Sequence, residues 1–285
     1  MSFLANKTIN GKQSKPFLAV VYGAGGVGKS TLCSTAQSPY FLDIEGGIFH
    51  IDAPKSSDVI SSPEVLLEYM QALINEKHDY KTVIVDSLSA LELLLIQSVF
   101  KKFTRDNGMK AKSIEDFGYG KGYVHLLSVW QGFVGMLKKM NMNGLNVILI
   151  GHQKIASFES SSGTTYKYYT INLYDSDKNS VLRLVTEQAD FVGYMSFESS
   201  PPENQATNQP PFPYTGKQKI KPKKFAPKIT QPRVICTEGT MAFYAKSRFD
   251  LEGQYSVDDW DWNFLSVQAT IGEKGEKAPT VQDVS

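Results

Sequence analysis

The sequence predicts an α/β fold with a mostly parallel central sheet flanked by helices, and three observations carry that prediction. Short runs of β-forming apolar residues recur at 17–22, 40–44, 82–86 and 145–151. Several of the segments between them place apolar residues at three- and four-residue steps, the helical period. A glycine cluster with a Lys-Ser pair follows the first run, so the chain opens on a strand-loop-helix unit. Strands alternating with helices imply parallel strands joined by crossovers that cover both faces.

Taken in order, FLAVVY at 17–22 is the first strand, the helix-compatible KSTLCSTA follows its loop, and YFLDI at 40–44 is the second strand. Val65, Leu66, Tyr69, Met70, Leu73 and Ile74 form one helix face, and TVIVD at 82–86 reads as a buried strand. SLSALELLLIQSVFKKF continues as a helix without breakers, whereas TRDNGMKAKSIEDFG at 104–118 is a polar, glycine-punctuated loop. Tyr119, Tyr123, Leu126, Trp130, Val134, Leu137 and Met140 make the stripe of a long helix that leads into LNVILIG, the most apolar strand. Residues 153–172 are rich in serine and tyrosine and show no clear period; DKNSVLRLVTEQA then reads as a helix and DFVGYMSF as a strand.

Residues 200–232 hold eight of the 13 prolines, and Lys217 to Arg233 carries six lysines, one arginine and no acid, the composition of a Pro/Lys-rich loop. VICTE and MAFYAKSRF, separated by Gly239 and Thr240, suggest a C-terminal antiparallel hairpin. From Asp250 onward eight acids stand against two lysines, a local charge of about −6. The chain therefore divides into an N-terminal segment at 1–15, one domain at 16–250 and an acidic C-terminal tail at 251–285.

Composition narrows the function classes. With 41% apolar and 12% aromatic residues in 285, extensive disorder is excluded. Thirty Lys+Arg balance 29 Asp+Glu, so any nucleic-acid binding must come from local patches. Two cysteines supply neither a disulfide framework nor a four-ligand zinc site. The N-terminus lacks the order of a secretory signal, and no apolar run approaches the ~18 residues a membrane helix needs. The expectation is a soluble, cytoplasmic protein without a membrane partner.

Gly23-Ala24-Gly25-Gly26-Val27-Gly28-Lys29-Ser30, followed by Thr31, fits the phosphate-loop pattern G-x-x-x-x-G-K-[ST] in the context it requires, after a strand and opening a helix. Glycines let backbone N–H groups converge on phosphate oxygens, and Lys29 neutralises the β/γ charge. The Ser30 hydroxyl can ligate Mg²⁺, and a helix N-terminus favours anions. ATP and Mg²⁺ are the cofactors this predicts. Asp86 closes TVIVD where a carboxylate would reach the metal, with a helix N-cap as the other reading, a role Ser87 could share. Asp43 and Glu45 end the second strand. Glu45, one step deeper and followed by Gly46-Gly47, is the better candidate for polarising an attacking water, and a loop-capping acid is the alternative.

GAGGVGKST, FLDIEGG, TVIVDSLSAL and VILIGHQ, in this order, resemble the RecA-like ATPase core of RecA, DnaB and KaiC relatives. More narrowly, IEDFGYGKGY and YAKSRF resemble the small phage-encoded RecA-like ATPases of the Sak type. The resemblance spans about residues 16–250. It implies Glu45 as catalytic glutamate and His152 as γ-phosphate sensor, with Gln153 as a nearby alternative; RecA itself has a glutamine at that position. It also implies that Lys246 and Arg248 enter a neighbouring subunit's ATP site, and only four arginines compete for that finger role. An edge strand kept basic against aggregation would look the same. Two loops stand where RecA-like filaments bind DNA. The first is 101–112, with Lys101, Lys102, Arg105, Lys110 and Lys112; the second is 154–169, with Lys154, Phe158, Tyr166, Lys167, Tyr168 and Tyr169. Either also reads as a solvated loop.

The leading expectation is an oligomeric, Mg²⁺-dependent RecA-like ATPase acting on single-stranded DNA in phage recombination or annealing. It would assemble as a ring or filament and work beside a single-strand DNA-binding protein. The alternative is an ATP-switched DNA-binding or adaptor protein with negligible turnover. A small-molecule kinase shares the phosphate loop, but four arginines are few for clamping a transferred phosphate.

Overall fold

The computed structural model describes residues 7–8, 15–160, 163–198 and 232–267. Apart from Pro232, the expected Pro/Lys-rich loop lies outside these residues, as does the chain beyond Val267. Nine strands form one sheet among the described residues. Five are parallel: β1 (Leu18–Gly23), β2 (Pro39–Asp43), β3 (Thr82–Asp86), β4 (Asn146–Glu159) and β6 (Phe191–Phe197). They lie in the order β2-β3-β4-β1-β6, so β4 separates the strand that ends in the glycine cluster from the strand that ends in Asp86. Every residue of β1 and β3 is buried, as parallel strands covered on both faces require.

Four antiparallel strands extend this core. β5 (Thr165–Ile171) folds back on the outer half of β4, and β7 (Arg233–Cys236) and β8 (Lys246–Ser247) both pair with β6. The C-terminal strands are thus antiparallel, but β7 does not pair with the YAKSRF strand. Its second neighbour is β9 (Gln254–Ser256).

The helices are α1 (Lys29–Cys33), α2 (Pro63–Asn75), α3 (Leu88–Lys102), α4 (Lys121–Met142), α5 (Val181–Gln188) and α6 (Phe264–Val267). Ser62, Ser87 and Ser180 cap α2, α3 and α5 by accepting the N–H groups of Val65, Ala90 and Arg183. The cap of α3 is Ser87 and not Asp86, which leaves the Asp86 carboxylate available to the loop above. Helix α4 starts later than its stripe suggests, because the chain turns at Gly118 and Gly120 and leaves Tyr119 fully exposed.

Alternation along β1 divides the core in two. Leu18, Val20 and Tyr22 face the layer built by α2 to α5, where Leu66, Leu91, Trp130 and Leu137 are buried. Phe17, Ala19 and Val21 face a second layer of Val27, Leu32, Trp260, Trp262 and Leu265. The boundary expected at 250 therefore falls inside packed structure. Helix α1 has five residues and cannot cover that face alone, so the segment carrying the two tryptophans completes it, with its acids turned outward. The Trp262 indole donates to the Leu32 carbonyl at 3.0 Å, and its ring stacks 6.3 Å from Phe17. No helix among the described residues is long and apolar enough to cross a membrane.

Candidate nucleotide site

The loop between β1 and α1 is shaped by close packing. A Cβ on Gly23 would lie 2.1 Å from the Met195 carbonyl oxygen of β6, so only glycine lets the two strands run together to the loop. Gly28 has φ +95°, a conformation other residues rarely adopt, and hands the chain to α1. Val27 is fully buried and anchors the loop through its side chain, while Gly25 and Gly26 are exposed. Ala24 and Thr31 contribute backbone to the loop and the first helical turn. With only five residues, α1 has a small dipole, and anion attraction here falls mainly to the loop's N–H groups and Lys29. The Lys29 ammonium is buried and donates to the carbonyls of Gly23 and Ala24 at 3.1 and 2.8 Å. Burial lowers its pKa, against the opposing pull of Asp86 and Glu45.

Three strand ends bring the acids together. Ser30 Oγ donates to Asp86 Oδ2 at 2.5 Å. Burial raises the Asp86 pKa despite that bond, and Glu45 adds to the rise. Backbone bonds from Ile44 and Glu45 to the Asp86 carbonyl, at 2.8 and 3.1 Å, fix β2 beside β3. The Glu45 carboxylate accepts from the Ser87 hydroxyl and lies 3.0 and 3.1 Å from His152 Nε2. Desolvation pushes the Glu45 pKa up, but Ser87, His152 and Lys29 outweigh it and hold the carboxyl below its ordinary value. Asp43 turns the other way: it is buried and accepts the Gly46 N–H at 2.7 Å, so it shapes the loop that presents Glu45. Gln153, the alternative to His152, accepts from Tyr194 at 3.2 Å instead.

The Ser30 hydroxyl and the Asp86 carboxylate converge as a hard-oxygen pair, which fits Mg²⁺. That ion usually takes one or two carboxylates plus substrate phosphates rather than a dedicated protein cage. No cluster of three or more His, Cys, Asp or Glu able to hold a metal occurs among the described residues.

The chain belongs to the AAA domain family, which matches residues 15–249. As an AAA domain it is a P-loop ATPase domain, and the site above lies within the matched span. Among solved structures, a KaiC-like protein from the hyperthermophilic archaeon Pyrococcus horikoshii OT3 is similar at 11% identity over 85% of each chain, with a TM-score of 0.41. No curated protein matches the chain.

The remaining candidates lie elsewhere on this AAA domain. Lys246 donates to the carbonyls of Thr186, Glu187 and Ala189, and Arg248 bonds Asp190 at 2.9 Å and the Glu187 carbonyl at 2.8 Å. Both side chains thus lie at the C-terminus of α5. Lys246 pairs with Val192 while Gly23 pairs with Met195, three residues or about 10 Å further along β6, so neither lines the chain's own phosphate loop.

The second expected loop, 154–169, falls largely on β4 and β5, which pair antiparallel from Gln153–Ile171 to Glu159–Thr165. Its two faces differ. Register places Phe158, Tyr166 and Tyr168 on one face, where they line a groove of about 330 Å³ with Met241, Phe243 and Tyr244. Lys167 is exposed and lies on the opposite face, which register shares with Tyr169, so it is not interleaved with Phe158, Tyr166 and Tyr168. Lys154 is held at the hairpin's root by the Leu173 carbonyl. In the first loop, Lys101 pairs with Glu64 at 2.7 Å and Lys110 donates to the Lys101 carbonyl at 2.9 Å, closing the end of α3. Lys112 binds Asp116 through its backbone, and Arg105 bonds Met109 in a turn.

Tyr22 and Arg233 escaped the sequence reading as site neighbours. Tyr22 precedes the glycine loop, and its hydroxyl bonds the carbonyls of Tyr169 and Tyr244. Nothing in a buried strand pattern marks that role. Arg233 read as the end of a basic stretch, yet its guanidinium sits against Gly28.

Proposed function

We propose that the protein is an oligomeric, Mg²⁺-dependent ATPase acting on single-stranded DNA, with ATP held between subunits and a role in phage recombination or annealing. The observation that carries the hydrolytic part is the convergence of Glu45, Ser87 and His152 beside Lys29, Ser30 and Asp86. The loop amides and Lys29 bind the phosphates, and Ser30 and Asp86 hold Mg²⁺. The metal, when bound, neutralises charge on the β- and γ-oxygens. Glu45, ionised and hydrogen-bonded on both sides, orients and deprotonates a water. His152 reports on the γ-phosphate through its contact with Glu45.

Lys246 and Arg248 point away from the chain's own site, which supports their use by a neighbouring subunit's nucleotide. Breaking their bonds to the end of α5 would accompany that docking. Single-stranded DNA is supported by the exposed aromatic groove, since base stacking on such faces tolerates sequence and is worth ~1–3 kcal/mol per base. Lys167, Lys112 and Arg105 remain the candidate phosphate contacts. The apolar exposure of Ile155, Phe158 and Met241 equally suits a protein partner, such as a single-strand DNA-binding protein, and this favours the adaptor reading as the second one.

Steady-state phosphate release with Mg²⁺, with and without unstructured single-stranded DNA, tests the proposal, beside Lys29→Ala and Tyr166→Ala/Tyr168→Ala. DNA stimulation that the tyrosine variant loses supports the ATPase on DNA. Equal slow turnover with and without DNA would transfer the site to the adaptor reading.

A further inference from the structure

The geometry points to Arg233 as a ligand for the polyphosphate of the bound nucleotide, held ready beside the phosphate loop by an exchangeable partner, Asp258. This rests on the nucleotide reading above and adds a residue to that site.

Arg233 begins β7, which runs antiparallel to β6 with Arg233 opposite Phe197. Its start therefore lies at the sheet edge from which the phosphate loop rises, two positions beyond the Gly23–Met195 pair. The side chain reaches the loop itself: a Cβ on Gly28 would fall 2.5 Å from Arg233 Nη1 and 3.6 Å from its Cζ. Gly28 immediately precedes Lys29, so a second cation adjoins the turn whose N–H groups face the phosphates.

Arg248 is held by two close bonds, to Asp190 and to a helix carbonyl. Among the described residues, the Arg233 guanidinium instead makes one long ion pair, Nη2 to Asp258 Oδ1 at 3.5 Å, with an aspartate that is 85% exposed. Such a pair is weak and solvent-screened. A guanidinium has five donors in a planar fork matched to phosphate oxygens, and phosphate would replace a single loose carboxylate contact.

The position of Asp258 is fixed by what surrounds it. Val257 N donates to the Arg233 carbonyl at 2.9 Å, and buried Trp260 and Trp262 anchor the following residues on the core beside α1. Exchange of Arg233 from Asp258 to phosphate thus requires side-chain rotation alone.

Equilibrium titration with a fluorescent, non-hydrolysable ATP analogue and Mg²⁺ tests this on the full-length chain. The proteins compared are the parent, Lys29→Ala, Arg233→Ala, Arg233→Lys and Asp258→Asn, with thermal midpoints recorded without nucleotide. Arg233→Ala is expected to weaken binding by roughly tenfold or more, as loss of a charge-assisted hydrogen bond does. Arg233→Lys should recover part of that loss. Asp258→Asn removes the competitor and should tighten binding by about two- to fivefold with an unchanged midpoint. A packing role for Arg233 would not produce this tightening. Parental affinity in both Arg233→Ala and Asp258→Asn, while Lys29→Ala fails to bind, would overturn the inference and leave the nucleotide site intact. A parent protein that binds no analogue would overturn the nucleotide reading itself and Arg233 with it.

Discussion

Ser30 and Asp86 lie 56 residues apart in the chain and meet at 2.5 Å, hydroxyl to carboxylate, where β3 ends beside the glycine loop. The pair is costly without a cation. Burial raises the Asp86 pKa, so ionising it in the folded protein is harder than in the unfolded chain.

The sign of its stability effect follows. A carboxyl with a raised folded-state pKa adds stability at low pH, and that stability is lost as pH rises through the raised value. At neutral pH Asp86 is therefore a net burden on the nucleotide-free fold. Asp86→Asn is expected to raise the nucleotide-free melting temperature by a few degrees, the shift that about 1 kcal/mol produces in a domain of this size. The further rise caused by Mg²⁺ and ATP should shrink or vanish. Scanning calorimetry of both forms, with and without Mg·ATP, measures the two changes together.

Glu45 has the opposite sign. Its pKa lies below the ordinary carboxylate value, so it stays ionised as pH falls toward that value, and its ion-pair stability is lost only below it. The rate of hydrolysis should accordingly show no acid limb from Glu45 between pH 5.5 and 8, on the ordinary carboxylate scale of about 4.3. Glu45→Gln should lower turnover by roughly 10²–10⁴ while nucleotide affinity changes little. An acid limb that persists in Glu45→Gln belongs to another group.

Cutting the chain at two places separates packing from tail. Truncation after residue 250 removes Trp260, Trp262 and Leu265 from the core and should prevent stable folding. Trp262→Ala alone is expected to cost about 3–5 kcal/mol, by cavity formation and loss of the bond to Leu32. Truncation after Val267 should leave the melting temperature near the parental value. Circular dichroism melts of the three proteins decide the matter.

The subunit-interface role proposed for Arg248 can be tested with mixtures. Arg248→Ala and Glu45→Gln should each be inactive alone. Mixed, they should regain part of the parental turnover, because a Glu45→Gln subunit lends its Arg248 to a site with an intact Glu45. Absence of recovery in mixtures shown to co-assemble would place Arg248 in its own subunit's structure, at the end of α5.

The strand-helix alternation and the glycine motif made the five parallel strands legible, because buried runs such as TVIVD and LNVILIG have no competing pattern. The glycine motif singled out Ser30 and the end of TVIVD singled out Asp86, while the direct bond between them emerges only from the fold. The β4–β5 hairpin was not legible: both faces of its outer half are largely solvent-exposed, so no alternation of apolar and polar residues marks it. The C-terminal segment misled through its charge. Its acids suggested solvation, while Trp260 and Trp262, set between them, are buried. Arg233 was hidden for a third reason, since contact with Gly28 arises from β7 lying antiparallel to β6 across a long insertion that no local pattern encodes.

Strand β4 carries His152 near its middle and runs unbroken to Glu159. From Gly151 to Glu159 it is a lever of about 27 Å, given the rise per residue of an extended chain. Its short end faces Glu45, and its long end bears the aromatic groove. A tilt of about 10° at the pivot would sweep the tip through roughly 5 Å at that length. Small adjustments beside Glu45 would thus become large displacements at the tip that bears the aromatic groove.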